Sequence, residues 1–476
     1  MQNEKKEGMP SKYKKLIGDT FIFAIGNLGS KIILFFMVPL YTNCLTTAEF
    51  GTADLVFTIA QLLVPFVSLV IFDAVLRFGI SKNADQQTIL KSSAVVVLAG
   101  SIVTVAITPL FGFYSPLAEW KWYLCAYVIL NMAGNVELNY LKICDRNKAY
   151  AMISILHTAI LAAANVLLLA RWHRGIAGYL IATLLSSAST VILAFFAGHA
   201  AKAFKEGHVD RAVLKEMVLF SAPLILNNVS WWVIQSSDKI MIEAMVGAAA
   251  LGLYTAATKI PSLINVIISI FSQAWGISSV REYESSNDHS FYSDIFVSYS
   301  VIGFGASVCI NAIVKPFMSI YVADAFFDAW RFVPLLLVSA SFSAVSSYFG
   351  SLYGALKKST NNMLSTLCAA IVNIVVNYFG ILWVGAWGAI IGTVTAYCVL
   401  AFYRMIEVLR YIKFDPQWKQ FLINCLIVLT QAILTSLDFH IWTVSVVFIA
   451  AFVIVNRKTI LKIFRSSLNL VRRKPS

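Results

Sequence analysis

Residues 151–170 read AMISILHTAILAAANVLLLA, and after Arg171-Trp172-His173-Arg174 residues 175–198 read GIAGYLIATLLSSASTVILAFFAG. Neither run contains Asp, Glu, Lys or Arg, and each has the roughly 20 apolar residues that a helix needs to cross a bilayer. Two apolar helices joined by a short basic turn form a membrane hairpin. The runs are continuous, without the alternating decamers and polar face of a β-barrel strand, so the spanning elements are helices.

Working outward from this hairpin gives about fourteen such segments. They lie near 16–40, 52–78, 90–111, 122–143, 150–170, 176–197, 216–243, 251–278, 292–313, 331–354, 362–382, 387–407, 418–437 and 441–456. The chain has 476 residues, of which 59% are hydrophobic and 13% charged. A soluble domain carries about 25% charged residues, so the fold class is an all-α polytopic membrane protein. The first apolar stretch is too long for a cleavable signal and lacks a small-residue cleavage site.

A net charge of +13 suggests a nucleic-acid binder until the cations are placed. With the N-terminus in the cytoplasm, 29 of the 37 lysines and arginines fall in inner segments and five in outer ones. That bias predicts both termini inside and an even number of crossings. Arg77 and Arg404 count among the inner cations. Lys31, Lys239 and Lys259 remain, each in the middle of an apolar segment.

The outer loops are short, and they carry no paired acids or His and Arg cluster of the kind a membrane glycosyltransferase or polymerase uses. Gly26-Asn27-Leu28-Gly29-Ser30-Lys31 lacks the spacing of a phosphate loop. The seven cysteines form no CxxC pair, and no His cluster has ligand spacing, so neither a metal nor a cofactor is expected.

The longest inner linker, about 198–215, divides the chain into residues 1–198 (helices 1 to 6), 199–412 (helices 7 to 12) and 413–476 (a helix pair and a basic tail). Six crossings per lobe give both lobes the same orientation, hence a pseudo-two-fold axis along the membrane normal. Ala48-Glu49-Phe50-Gly51 before the second helix answers to Ala250-Leu251-Gly252-Leu253 before the eighth, and Ser30-Lys31-Ile32 answers to Asp238-Lys239-Ile240.

With Thr47-Ala48-Glu49-Phe50-Gly51, Ala249-Ala250-Leu251-Gly252-Leu253-Tyr254 and the lysine in the first helix, the chain resembles the polysaccharide-export branch of the multidrug/oligosaccharidyl-lipid/polysaccharide (MOP) superfamily. Within it, the chain is similar to O-antigen (Wzx-type) lipid-linked oligosaccharide flippases. The resemblance covers essentially the whole chain and implies a bacterial inner-membrane transporter, not an enzyme. It implies two lobes alternating around a central cavity. The implied substrate is an undecaprenyl-diphosphate-linked oligosaccharide, moved to the outer leaflet for cell-surface polysaccharide synthesis. Polysaccharide polymerase machinery and membrane lipids are the implied partners. A multidrug exporter coupled to protons or sodium, and a membrane enzyme of polysaccharide assembly, are the alternative readings.

A cation at a helix centre costs about 2.5–3.5 kcal/mol on insertion scales, so retained lysines ask for a reason. Lys31, Lys239 and Lys259 are candidate diphosphate partners, and Arg77 is a candidate receiver of the headgroup. Asp73 and Arg77, like Lys239 and Glu243, stand four apart and could instead neutralise each other within one helix. The acids Asp54, Asp73, Glu137, Asp238 and Glu243 are candidates for ion coupling or charge pairing. Asn27, Asn228, Gln235, Trp231 and Tyr254 are candidates for a sugar path.

Overall fold

The computed structural model describes residues 29–81, 84–285 and 289–472, and among these no strand is formed. Residues 29–36 are helical. The α-helices of seven residues or more that follow are α1 (Val38–Cys44), α2 (Thr47–Ser68), α3 (Ile71–Gly79), α4 (Gln86–Ile107), α5 (Lys121–Ile143), α6 (Asn147–Asn165), α7 (Gly175–Gly198) and α8 (Ala200–Glu206). They continue as α9 (Arg211–Met245), α10 (Ala248–Ser285), α11 (His289–Tyr321), α12 (Val333–Ala355), α13 (Ser359–Val384), α14 (Ala386–Val408), α15 (Trp418–Ser436) and α16 (Ile441–Arg472).

Twelve helices of the described residues are long and apolar enough to cross a membrane. The expected crossing at 122–143 is α5, with 23 residues, but Asn131, Asn135, Glu137 and Asn139 in its middle make it too polar to count among the twelve. The expected crossing at 16–40 lies only partly within the described residues.

One expected crossing, 52–78, is broken. Leu69 and Val70 both have positive φ (50° and 54°) between α2 and α3. Pro65 removes one helical N–H near the end of α2. The Ser68 hydroxyl then donates to the Val64 carbonyl at 2.6 Å and accepts the Val70 N–H at 3.2 Å. Asn139 of α5 steadies the next turn by donating to the Phe72 carbonyl at 2.9 Å.

By contact density the chain forms two compact units, Met1–Cys44 with Val56–Val229, and Leu45–Leu55 with Ser230–Ser476. In the first unit Ile71, Val75, Leu90, Val136, Tyr140 and Met217 pack into one core. The α4 N-terminus there is capped by Asp85, whose carboxylate accepts from the N–H groups of Gln87 and Thr88 at 3.1 and 3.2 Å and from the Thr88 hydroxyl at 2.6 Å. The Thr88 hydroxyl above all, helped by those two N–H groups, holds the Asp85 carboxyl below its ordinary range. A depressed carboxylate stabilises the fold above its unfolded pKa and loses that contribution as pH falls through the folded value. Asp85→Ala is therefore expected to cost about 1 kcal/mol near neutrality. The gap between variant and wild-type melting temperatures should close below about pH 4; a gap that persists in acid would rule out the cap as its source.

In the second unit the core is aromatic. Trp275 stacks on Tyr348 with ring centroids 4.7 Å apart and donates to its carbonyl at 3.1 Å, while the Tyr348 hydroxyl donates to the Tyr292 carbonyl at 2.7 Å. Small residues bring α13 and α14 together after the turn at Gly385 (φ 60°). A Cβ on Gly388 would sit 1.9 Å from the Gly380 carbonyl carbon, and one on Gly392 would sit 1.9 Å from Asn377 Oδ1. A Cβ on Gly354 of α12, by contrast, would meet nothing within 4 Å. The last helix pair is held by polar contacts, which gain weight where lipid competes poorly for them. Asn424 and Asn456 exchange amide hydrogen bonds at 2.9 and 2.7 Å, and Gln431 donates to the Val308 carbonyl at 3.1 Å.

Candidate functional site

The N-terminal turns of α2 and α10 lie in the second unit and meet through two glycines. A Cβ on Gly51 would fall 2.0 Å from the Ala248 carbonyl oxygen, and one on Gly252 would fall 1.9 Å from the Thr47 carbonyl oxygen. The contact is reciprocal: Gly51 and Gly252, like Thr47 and Ala248, stand 201 positions apart. A capping box opens α2, with the Thr46 N–H donating to Glu49 at 2.8 Å and the Glu49 N–H donating to the Thr46 hydroxyl at 3.2 Å. Phe50 packs edge-on against Phe326 beside it.

One turn beyond Gly51, Asp54 accepts from the Lys239 ammonium at 2.8 Å and from the Thr255 hydroxyl at 3.0 Å. Both charged side chains are mostly buried, at 18% and 14% exposure. Lys259, on the turn after Thr255, is close enough for its charge to act on Asp54, and its ammonium stands 5.8 Å from the Phe50 ring. Lys239 thus pairs with Asp54 while Lys259 stands near enough to act on the same carboxylate.

Asp238 precedes Lys239 on α9 and is directed elsewhere. It accepts hydrogen bonds from the Tyr254 hydroxyl, from Thr393 Oγ1 at 3.2 Å and from the Lys239 N–H at 2.9 Å. Asp238, Tyr254 and Thr393 border a cavity of about 120 Å³, also lined by Gln235, Asn265, Ser339 and Tyr397. Next to it Ser237 donates to Asn373 at 2.9 Å, and Asn377 donates to the same oxygen at 3.0 Å. The result is a polar pocket inside a membrane helix bundle, with an acid at its wall and a lysine pair one helical face away.

Of the candidates read from sequence, Lys239, Lys259, Asp54, Asp238, Tyr254 and Gln235 come together here. Two expected pairings change. The short ion pair of Lys239 is with Asp54 of α2 instead of Glu243, because the lysine points across to α2 while Glu243 sits buried one turn on. The cation that acts on Asp73 is Lys142 of α5 instead of Arg77, which is exposed on α3. Lys31 is exposed and belongs to the first unit. Glu137, in that unit, has an Oε2 that is buried without a hydrogen-bond partner. Asn228 donates to Leu224 of its own helix at 2.9 Å. Asn27 lies outside the described residues.

Arg404 differs most from its reading as an inner-face charge. It is 1% exposed. Its guanidinium donates to Ser365 Oγ at 3.0 Å, the Ser346 carbonyl at 3.1 Å and Thr366 Oγ1 at 2.8 Å, and it stands 5.6 Å from the Trp231 ring. Trp231 is thereby an arginine platform. Gly350 makes room, since a Cβ there would come 2.6 Å from Arg404 Nη1. The signal was present in the sequence: Arg404 falls inside an apolar segment, 387–407.

Comparison with known proteins agrees with this architecture. Residues 16–275 match the family model described as polysaccharide biosynthesis protein. The chain is 23% identical over 266 residues to protein 1 of the Lsg locus of Haemophilus influenzae, a match spanning 55% of this chain and 65% of that relative. Its fold is similar to the lipid II flippase MurJ in an inward closed conformation, with a TM-score of 0.70 at 13% identity over 92% of this chain and all of the other. It is also similar to an inward-facing multidrug resistance MATE transporter of the MOP superfamily, with a TM-score of 0.62 at 14% identity over 81% of this chain and 94% of that one. The chain belongs to the polysaccharide biosynthesis protein family, and its fold is the one seen in the MurJ and MATE structures.

Proposed function

We propose that the protein flips an undecaprenyl-diphosphate-linked oligosaccharide from the cytoplasmic to the outer leaflet by alternating access, with both termini cytoplasmic. The observation that carries this reading is the buried pair of Lys239 with Asp54, with Lys259 near enough to act on the same carboxylate. A diphosphate crossing about 30 Å of hydrocarbon needs cations inside the membrane. An ion pair with a second lysine beside it can exchange its carboxylate for a phosphate without leaving either charge bare. Lysine suits this because its ammonium is a mobile point charge on a flexible stem.

The two repeats form six-helix lobes in this proposal, and the reciprocal Gly51 and Gly252 contact supports such a repeat. Asp238, buried at the wall of the cavity, is the acid we assign to ion coupling. The same residue supports the second reading, an ion-coupled drug exporter, because a buried acid also suits organic cations.

Deleting the gene should trap lipid-linked oligosaccharide in the cytoplasmic leaflet, and normal surface polysaccharide in the deletion would sink the flippase reading. Lys259→Ala is expected to abolish export at unchanged protein level, with Lys31→Ala as the parallel test in the first unit. Full export by both variants would remove the lysines from the path.

A further inference from the structure

Two cavities abut along α11 where α16 passes it. The first, about 430 Å³, is lined by Asp294, Val297 and Ser298 of α11 and by Arg457, Lys458 and Lys462 of α16. The second, about 400 Å³, begins on the next turn of α11 and is almost wholly apolar. Val301, Ile302, Gly305 and Cys309 form one wall, with Phe452 and Phe464 among the residues opposite.

Lys462 pairs with Asp294 at 2.7 Å, so the pocket's one acid is neutralised and Arg457 and Lys458 supply its net charge. The 32 residues of α16 span about 48 Å, more than the roughly 30 Å hydrocarbon core. Counted from Ile441, Arg457 and Lys462 stand about 24 and 32 Å along it, so they bracket the interface on the basic side.

We propose that this corner of α11 and α16 binds an anionic phospholipid, its phosphate at Arg457 and Lys458 and an acyl chain in the apolar groove. Head-to-tail order along α11 matches an amphiphile, and the charge matches a phosphate. On α11 the groove runs about 12 Å from Val301 to Cys309, and on α16 it runs about 22 Å from Phe464, beside Lys462, inward to Ile449. That length suits the acyl chain of one leaflet; a long polyprenyl chain would overrun it. No residue of the Asp54 and Asp238 cluster lines either cavity, so the lipid is a resident of the helix pair and not the transported molecule. Placing it in the cytoplasmic leaflet rests on the orientation proposed above.

Native mass spectrometry of the full chain from micelles doped with phosphatidylglycerol or phosphatidylcholine tests the site. Wild type should retain phosphatidylglycerol preferentially. Arg457→Gln with Lys458→Gln should weaken that retention roughly 30-fold, from two interfacial charges. Cys309→Trp, which fills the groove, should weaken retention of both lipids. Melting temperatures of both variants confirm that they fold. Equal retention of the two lipids, no effect of either variant, displacement by inorganic phosphate, or displacement by a polyprenyl diphosphate would each overturn the assignment. Export is read separately: variants that lose the lipid and keep export leave the flippase reading intact, and loss of the flippase reading leaves the lipid assay unaffected.

Discussion

Asp54→Ala should lower stability by about 3 kcal/mol, the low end of the cost of breaking a buried ion pair, because Lys239 and Asp54 keep 18% and 14% of their exposure. The variant leaves the Lys239 ammonium inside the second unit without its 2.8 Å partner and removes the acceptor of the Thr255 hydroxyl. Lys239→Met in the same background should restore most of the loss, since an apolar chain of similar length carries no charge to strand. The double-mutant cycle, read by reversible unfolding in detergent, should show a coupling of about 2 kcal/mol. Additive single and double variants would mean that the pair contributes nothing to the fold. Export should fail in Asp54→Ala and also in the stable double variant. That second failure separates a transport role from a structural one.

Gly51→Ala and Gly252→Ala should each prise α2 from α10, because the new methyl meets a backbone carbonyl oxygen at 2.0 or 1.9 Å. No side chain can rotate out of the way. Overpacking of this kind costs about 1–3 kcal/mol, which in a two-state transporter is enough to shift the population about 5- to 150-fold toward a state in which the two turns are apart. Spin labels at Thr46 and Ala250 should report a longer distance in either variant, with export strongly reduced. An unchanged distance with normal export would show that the contact bends locally and gates nothing. Gly354→Ala, where the added methyl meets nothing within 4 Å, is the matched control.

Helix type and membrane class were legible in the sequence because the bilayer imposes them residue by residue. A run such as 175–198 must satisfy its own backbone hydrogen bonds in hydrocarbon, so composition alone identifies it. Sorting of lysines and arginines sets the expected topology for the same local reason. The capping box at Thr46 and Glu49 and the Asp85 cap are also short-range features that a reader of the sequence can find. The break at Leu69 and Val70 was less visible. Pro65 marks a helix that is weakened, but α3 restarts only because Ser68 and Asn139 take over the freed backbone groups.

Charge pairing was the part that sequence spacing misread. Four-residue spacing put Glu243 beside Lys239 and Arg77 beside Asp73, since neighbours on one helix are the only ones a sequence displays. The chain chose Asp54 and Lys142, both from other helices. Arg404 shows the same effect in reverse: a residue near a helix end looks like an interface charge until α12 and α13 close over it and supply neutral oxygens from Ser346, Ser365 and Thr366.

By itself the sequence determined the solvent, the helical class and the three lysines that demand a reason. Which of them share a carboxylate, and that Asp238 turns instead to Tyr254 and Thr393, only the tertiary structure decided. Apolar runs and loop charges answer to the bilayer, a field that every copy of a residue feels alike. Ion pairs between helices answer to packing, and packing is set where two glycines 201 positions apart let α2 and α10 touch.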